Sequence, residues 1–107
     1  MTDTNITMVK GDTLSFGMEF EGLDQDLSAA YFSCKMDYTD EEYAFQKALN
    51  DGITKVSTGK YRVRIAPADT ADLDAGLYRY DLQISVNNDV FTLMRGVLDI
   101  QEEVTEH

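Results

Sequence analysis

Gly76-Leu77-Tyr78-Arg79-Tyr80-Asp81-Leu82-Gln83-Ile84, then Asn87-Asn88-Asp89, then Val90 to Ile100 is the stretch whose reading decides the fold. Side chains of opposite character alternate along both arms, the period of a strand with one side on a core and one in water. The Asn-rich segment between them is turn chemistry, so the whole reads as a β-hairpin that closes a small β-sandwich. Tyr78 and Tyr80 share a side with Leu82 and Ile84 and point inward, although a tyrosine near a sandwich edge also suits an interface. On the return arm Phe91 and Leu93 take one side, Thr92 and Met94 the other. Gly96 is expected to mark a bulge that lets Leu98 and Ile100 resume the pattern, re-aiming Arg95 as a contact residue.

Working outward, the period stays near two. Leu14, Phe16, Met18 and Phe20 alternate with Ser15, Gly17 and Glu19. Ile6 to Val9, ending at Lys10-Gly11-Asp12, either continues that strand through a bend or forms a separate one. Ala30, Phe32, Cys34 and Met36 alternate with Tyr31, Ser33 and Lys35. Asp37 to Glu42 is too acidic for a core and reads as a loop. Tyr43 to Leu49 is read as a strand, although its Ala, Gln, Lys and Leu also suit a helix. Asn50-Asp51-Gly52 and Ser57-Thr58-Gly59 are turns on either side of Ile53 to Val56. Tyr61, Val63 and Ile65 then alternate with Lys60, Arg62 and Arg64. Ala66 to Leu73 is the one helical piece, with Pro67 early and Gly76 ending the segment, and it bridges from one sheet to the other.

Seven or eight short strands with one short helical turn predict an all-β, immunoglobulin-like antiparallel β-sandwich, a single domain over 1–107 with 101–107 as a frayed acidic tail. The chain has no Trp and a single cysteine, which excludes the pinned core of an antibody domain. With 107 residues it buries one core.

The formal charge of −11 disfavours a nucleic-acid partner, because affinity for phosphate is built from clustered Lys and Arg. It suits solubility, and it also suits a partner with a basic face. No run reaches the roughly 18 to 20 apolar residues that span a bilayer, and the N-terminus lacks the features of a secretory signal, so no membrane partner is expected. Lone Cys34 fits a reducing compartment and reads as a small core residue.

Chemistry-bearing constellations are sparse. Nucleophilic catalysis near neutral pH wants an imidazole, and the single histidine is the terminal His107. No phosphate-cradling loop, nucleophile elbow or zinc-binding His pair is present. We therefore expect no enzyme, no catalytic residue, no cofactor, no metal and no small-molecule ligand. The carboxylate groups Asp24/Asp26, Asp40/Glu41/Glu42 and Asp72/Asp74 lack the spacing of a calcium loop and read as solvated faces. The charged feature with most content is the basic ridge of Lys60, Arg62 and Arg64 on one side of a strand. It either pairs with neighbouring acids across the sheet or contacts an acidic face of another copy or partner. With Tyr78, Arg79 and Arg95 it makes up the candidate interface.

The run Asp69-Thr70-Ala71-Asp72-Leu73, with Gly76-x-Tyr78-x-Tyr80-Asp81-Leu82-Gln83-Ile84 and Val90-Phe91-Thr92-Leu93-x-x-Gly96-x-Leu98-x-Ile100, resembles the C-terminal half of small β-sandwich structural proteins of tailed phages and prophages. It is similar to the amino-terminal domain of baseplate upper proteins, as is the strand entry Lys10-Gly11-Asp12-Thr13-Leu14. The resemblance implies a non-enzymatic virion, tail or baseplate component, made in the bacterial cytoplasm, whose partners are copies of itself or a neighbouring virion protein. The acidic loop from Asp37 to Glu42 departs from that pattern. The alternative is a small acidic inhibitor or nucleic-acid mimic on the basic face of a host enzyme, which a concentrated carboxylate face would mark.

Overall fold

A computed structural model describes residues 2–22, 25–37 and 39–104, and for Thr2 and Asp3 the backbone only. Asp24 of the first carboxylate pair, Tyr38 within the acidic loop, and His107 with the end of the tail lie outside the described residues.

Among the described residues nine strands and one helical turn follow in order: β1 (Thr2–Asp3), β2 (Ile6–Val9), β3 (Leu14–Glu19), β4 (Ala29–Lys35), β5 (Phe45–Leu49), β6 (Gly52–Ser57), β7 (Lys60–Ile65), α1 (Pro67–Thr70), β8 (Gly76–Val86) and β9 (Asp89–Gln101). Hydrogen bonds join them in the order β1-β9-β8-β4-β5-β6-β7-β3, with β2 also on β9. The path folds back on itself. β3, with Phe16, and β4, with Phe32, lie four places apart along it, yet the two rings meet edge-on at 6.2 Å. The two layers are therefore β3–β7–β6 and β1/β2–β9–β8–β4–β5, linked by a parallel join of only Ala48–Leu49 against Gly52–Ile53. This is an immunoglobulin-like β-sandwich, with the N-terminal strands parallel to the last one.

The alternation read from the sequence sets the core. Buried Tyr61, Val63 and Ile65 of β7 face buried Phe32, Cys34, Tyr80, Leu82 and Leu98 of the other layer. At the centre, Phe32 stacks on Tyr80 at 5.2 Å and on Phe45 at 6.1 Å. These rings stand where an antibody domain places its tryptophan and disulfide. Tyr78 opens β8 and donates its hydroxyl to the Asp74 carbonyl at 2.7 Å, the corner bond of such sandwiches. Burial pushes the Cys34 thiol up to about 12, so it stays protonated and behaves as a core side chain.

Turn chemistry is local and follows the residues. The β8–β9 hairpin closes through Asn87 at φ 54 and Asn88 at φ 68, the two positive values that a twisted two-residue turn needs. At Asn50–Gly52 the bend carries the chain from one layer to the other rather than closing an antiparallel hairpin. The Ile6–Val9 run is a strand of its own, on β9, while Leu14–Glu19 pairs with β7. The helical turn is shorter than Ala66 to Leu73. Asp69 accepts from the Ala66 N–H at 2.7 Å and from Lys47 Nζ at 3.1 Å, which ties the crossover to β5.

Two expectations for the last strand are corrected. The bulge lies at Leu93, between the pairs Leu82↔Met94 and Gln83↔Thr92, so Phe91 and Met94 share a side and Thr92 opposes them. Gly96 lies in regular register with Tyr80, and its missing side chain instead makes room for the Thr4 backbone. Gln101 also belongs to this strand: it pairs with Val9, and its carbonyl accepts from Lys10 N–H at 2.8 Å. No helix among the described residues is long and apolar enough to cross a membrane.

Candidate functional site

The outer face of the larger layer is shaped by side chains on the solvent phase of three strands. In β4 the inward set Ala30, Phe32 and Cys34 leaves Tyr31, Ser33 and Lys35 outside. In β8 the inward set Tyr78, Tyr80, Leu82 and Ile84 leaves Arg79, Asp81 and Gln83 outside. The antiparallel ladder sets these side by side, Tyr31 against Gln83, Ser33 against Asp81 and Lys35 against Arg79. They line a shallow concavity of about 400 Å³ that Tyr43 and Gln46 close on the far side.

Polar contacts hold this face in place. Gln46 Nε2 donates to Ser33 Oγ at 2.9 Å across the β4–β5 pair. Lys35 Nζ donates to the Asp40 carbonyl at 2.8 Å and lies 5.0 Å from the centre of the Tyr43 ring, so one cation pins the acidic loop against the sheet. Tyr31 and Tyr43 remain 44% and 48% exposed, two large rings offered to solvent at the rim.

Asp81 sits in the middle, beside Ser33 and across from Arg95 of β9. Burial lifts its carboxyl above the ordinary 3.8, and the nearby Lys35 charge offsets part of the rise. A folded-state pKa above the unfolded one means that the charged form is penalised by folding. The penalty is absent below the unfolded value and grows as pH rises through the folded one. Asp81→Asn should therefore raise the melting temperature slightly at pH 7 and leave it unchanged at pH 3, an effect under about 1 kcal/mol because solvent screens this face. Paired thermal melts at the two pH values measure it. A loss of stability at pH 7 would mean that the Lys35 and Arg95 charges outweigh the burial.

The six interface candidates do not come together. Arg79 and Arg95 belong to the face just described, on neighbouring strands. Lys60, Arg62 and Arg64 project from β7 on the opposite outer face of the sandwich. Tyr78 is 3% exposed, with its hydroxyl committed to Asp74, so it is a core residue and offers no contact surface. The face around Tyr31, Tyr43 and Asp81 was missed by sequence reasoning. Its one local signal was phase, a tyrosine standing on the wet side of β4 between Ala30 and Phe32.

The acidic loop also gains company. Asp40, Glu41 and Glu42 share a cleft of about 660 Å³ with Asp72 and Asp74, carboxylates some thirty residues further along the chain. Among the described residues no cluster of His, Cys, Asp and Glu has the arrangement of a metal site.

No family model and no curated protein matches this sequence. Among solved structures, a segment of a proposed glycoside hydrolase from Bacteroides vulgatus is similar at a TM-score of 0.52 and 14% identity, over 92% of this chain. The chain spans only 16% of that protein's length, so the similarity is one of fold. The extracellular domain of a voltage-gated sodium channel beta4 subunit aligns over 95% of this chain and 93% of its own, at 14% identity and a TM-score of 0.48.

Proposed function

We propose that this chain is a non-enzymatic structural or adaptor module of a tailed phage or prophage particle, working through protein–protein contacts on the outer face of its larger layer. The observation that carries the reading is the pair of exposed rings, Tyr31 and Tyr43, at the rim of a shallow concavity with charged and amide groups inside it. Large rings beside ordered polar groups are what contact hot spots are built from. A face so open suits a protein surface better than an enclosed small substrate. The phage context rests on the resemblance of the residues 69–100.

The test is made on particles. A tagged chain is expressed in the source bacterium, particles are induced and purified, and the chain is quantified in them. Wild type should be present at a fixed ratio to the other virion proteins, and Tyr31→Ala with Tyr43→Ala should fold yet fall at least tenfold in the particle fraction. Absence of the wild-type chain from particles would overturn the reading.

One observation favours the inhibitor alternative, the gathering of Asp40, Glu41, Glu42, Asp72 and Asp74 at one corner. Under that reading the chain binds a nuclease or polymerase with an affinity that falls steeply as salt rises.

A further inference from the structure

The outer face of the smaller layer carries cations on a floor of small side chains. Lys60, Arg62 and Arg64 are all exposed on β7. Across the ladders stand Ser15, Gly17 and Glu19 on β3, and Thr54 and Ser57 on β6. Above Gly17 the surface is open, since a side-chain carbon placed there would meet only the Tyr61 carbonyl oxygen, at 3.8 Å. Gly17, Val56, Lys60 and Arg62, with Glu19 at the Lys60 end, thus line a pit of about 290 Å³. Lys60 is met by Glu19 at 3.4 Å, while Arg62 and Arg64 make no ion pair with any described residue. In a chain with 20 acidic and 9 basic side chains, two exposed guanidinium groups with no ion pair among the described residues are open to carboxylates from another molecule.

We propose that this face receives the acidic corner of a second copy of the chain, with Asp40, Glu41, Glu42, Asp72 and Asp74 set against Arg62 and Arg64. Charge complementarity selects the occupant. The corner gathers five carboxylates from two loops, and guanidinium groups on a flat floor can take carboxylates in bidentate fashion. Ridge against ridge, or corner against corner, would oppose like charges, so a two-fold contact of either patch with itself is disfavoured. Ridge on corner joins two different patches, either reciprocally in a two-fold pair or head to tail. The reciprocal pair closes as a dimer, and the head-to-tail contact, repeated, closes a ring or extends a filament. This inference goes beyond the adaptor reading, since its contact is made by charged groups and not by the exposed rings, although Tyr43 also lines the corner's cleft.

The experiment is light scattering across a concentration series in about 0.1 M salt, where long-range repulsion between acidic copies is screened and close contacts are not. Wild type should reach at least twice the 12.1 kDa chain mass. Arg62→Glu with Arg64→Glu, and separately Glu41→Lys with Glu42→Lys, should each reduce it to the mass of one chain, and the milder Arg62→Gln with Arg64→Gln should do the same. Mixing the two charge-reversed proteins restores opposite charges at both contacts and should recover the higher mass. A wild type that stays at one chain mass to about 1 mM, or a folded ridge variant with undiminished mass, or a mixture that stays monomeric, overturns the proposal. None of these outcomes bears on whether the chain enters particles, because that reading stands or falls on the wild-type chain in the particle fraction.

Discussion

Replacing Phe32 by alanine is expected to lower the unfolding free energy by about 3–5 kcal/mol. The residue is 0% exposed and its ring meets Phe16 at 6.2 Å, Phe45 at 6.1 Å and Tyr80 at 5.2 Å. It therefore joins β3 to β4 across the sandwich and braces β5 and β8 within one layer. In a domain without a disulfide, this cluster is what clamps the two layers. A domain of this size holds only about 5–15 kcal/mol in total, so the variant should be close to the limit of folding at 37 °C. Urea unfolding followed by tyrosine fluorescence measures the loss, and Phe32→Leu, which keeps most of the apolar volume, should lose less. A midpoint within experimental error of wild type would show that the layers are clamped elsewhere.

Gly96→Ala should act through the N-terminus. The added carbon would fall on the Thr4 carbonyl oxygen, with the carbonyl carbon at 2.9 Å, and this is backbone that cannot swing aside as a side chain can. The segment must move. It then loses the bond from Thr4 N–H to the Arg95 carbonyl at 2.8 Å and the one that the Tyr80 hydroxyl donates to Thr4 at 2.5 Å. A cost of about 1–3 kcal/mol is expected, of the size of other overpacking substitutions. Its signature is non-additivity. In a chain lacking residues 1–5 the substitution should cost close to nothing, because nothing remains to collide with, and a double-mutant cycle reads that coupling directly. Equal costs in the long and short chains would place the strain in β9 itself.

Gly96 also shows why parts of the fold were hidden in the sequence. A glycine in an alternating strand signals either a bulge or a close approach, and nothing within the strand distinguishes them. The distinction depends on Thr4, more than ninety residues away. The bulge at Leu93 had no marker at all, since Thr92, Leu93 and Met94 each fit either side of a strand. Where the causes are local, the sequence was legible. Asn87 and Asn88 turn the chain because their own side chains tolerate positive φ, and the inward sets of β4, β7 and β8 follow from the two-residue period. The corner bond of Tyr78 is equally local, four residues back to Asp74, yet a tyrosine's spacing from a carbonyl upstream does not by itself separate a corner bond from an interface ring.

The residues by themselves determined an all-β chain, the inward sides of β4, β7 and β8, the positions of the turns and the acidity of the surface. Each of these depends on a side chain and its immediate neighbours. Tertiary structure alone decided what shares a face. It set Tyr31 beside Gln83, brought Asp72 and Asp74 to the acidic loop, and put the Arg62 ridge and the Arg79 face on opposite sides. The reason is physical: period fixes which way a side chain points, whereas its neighbours are fixed by strand order and register, and those emerge only when the two layers bury one core between them.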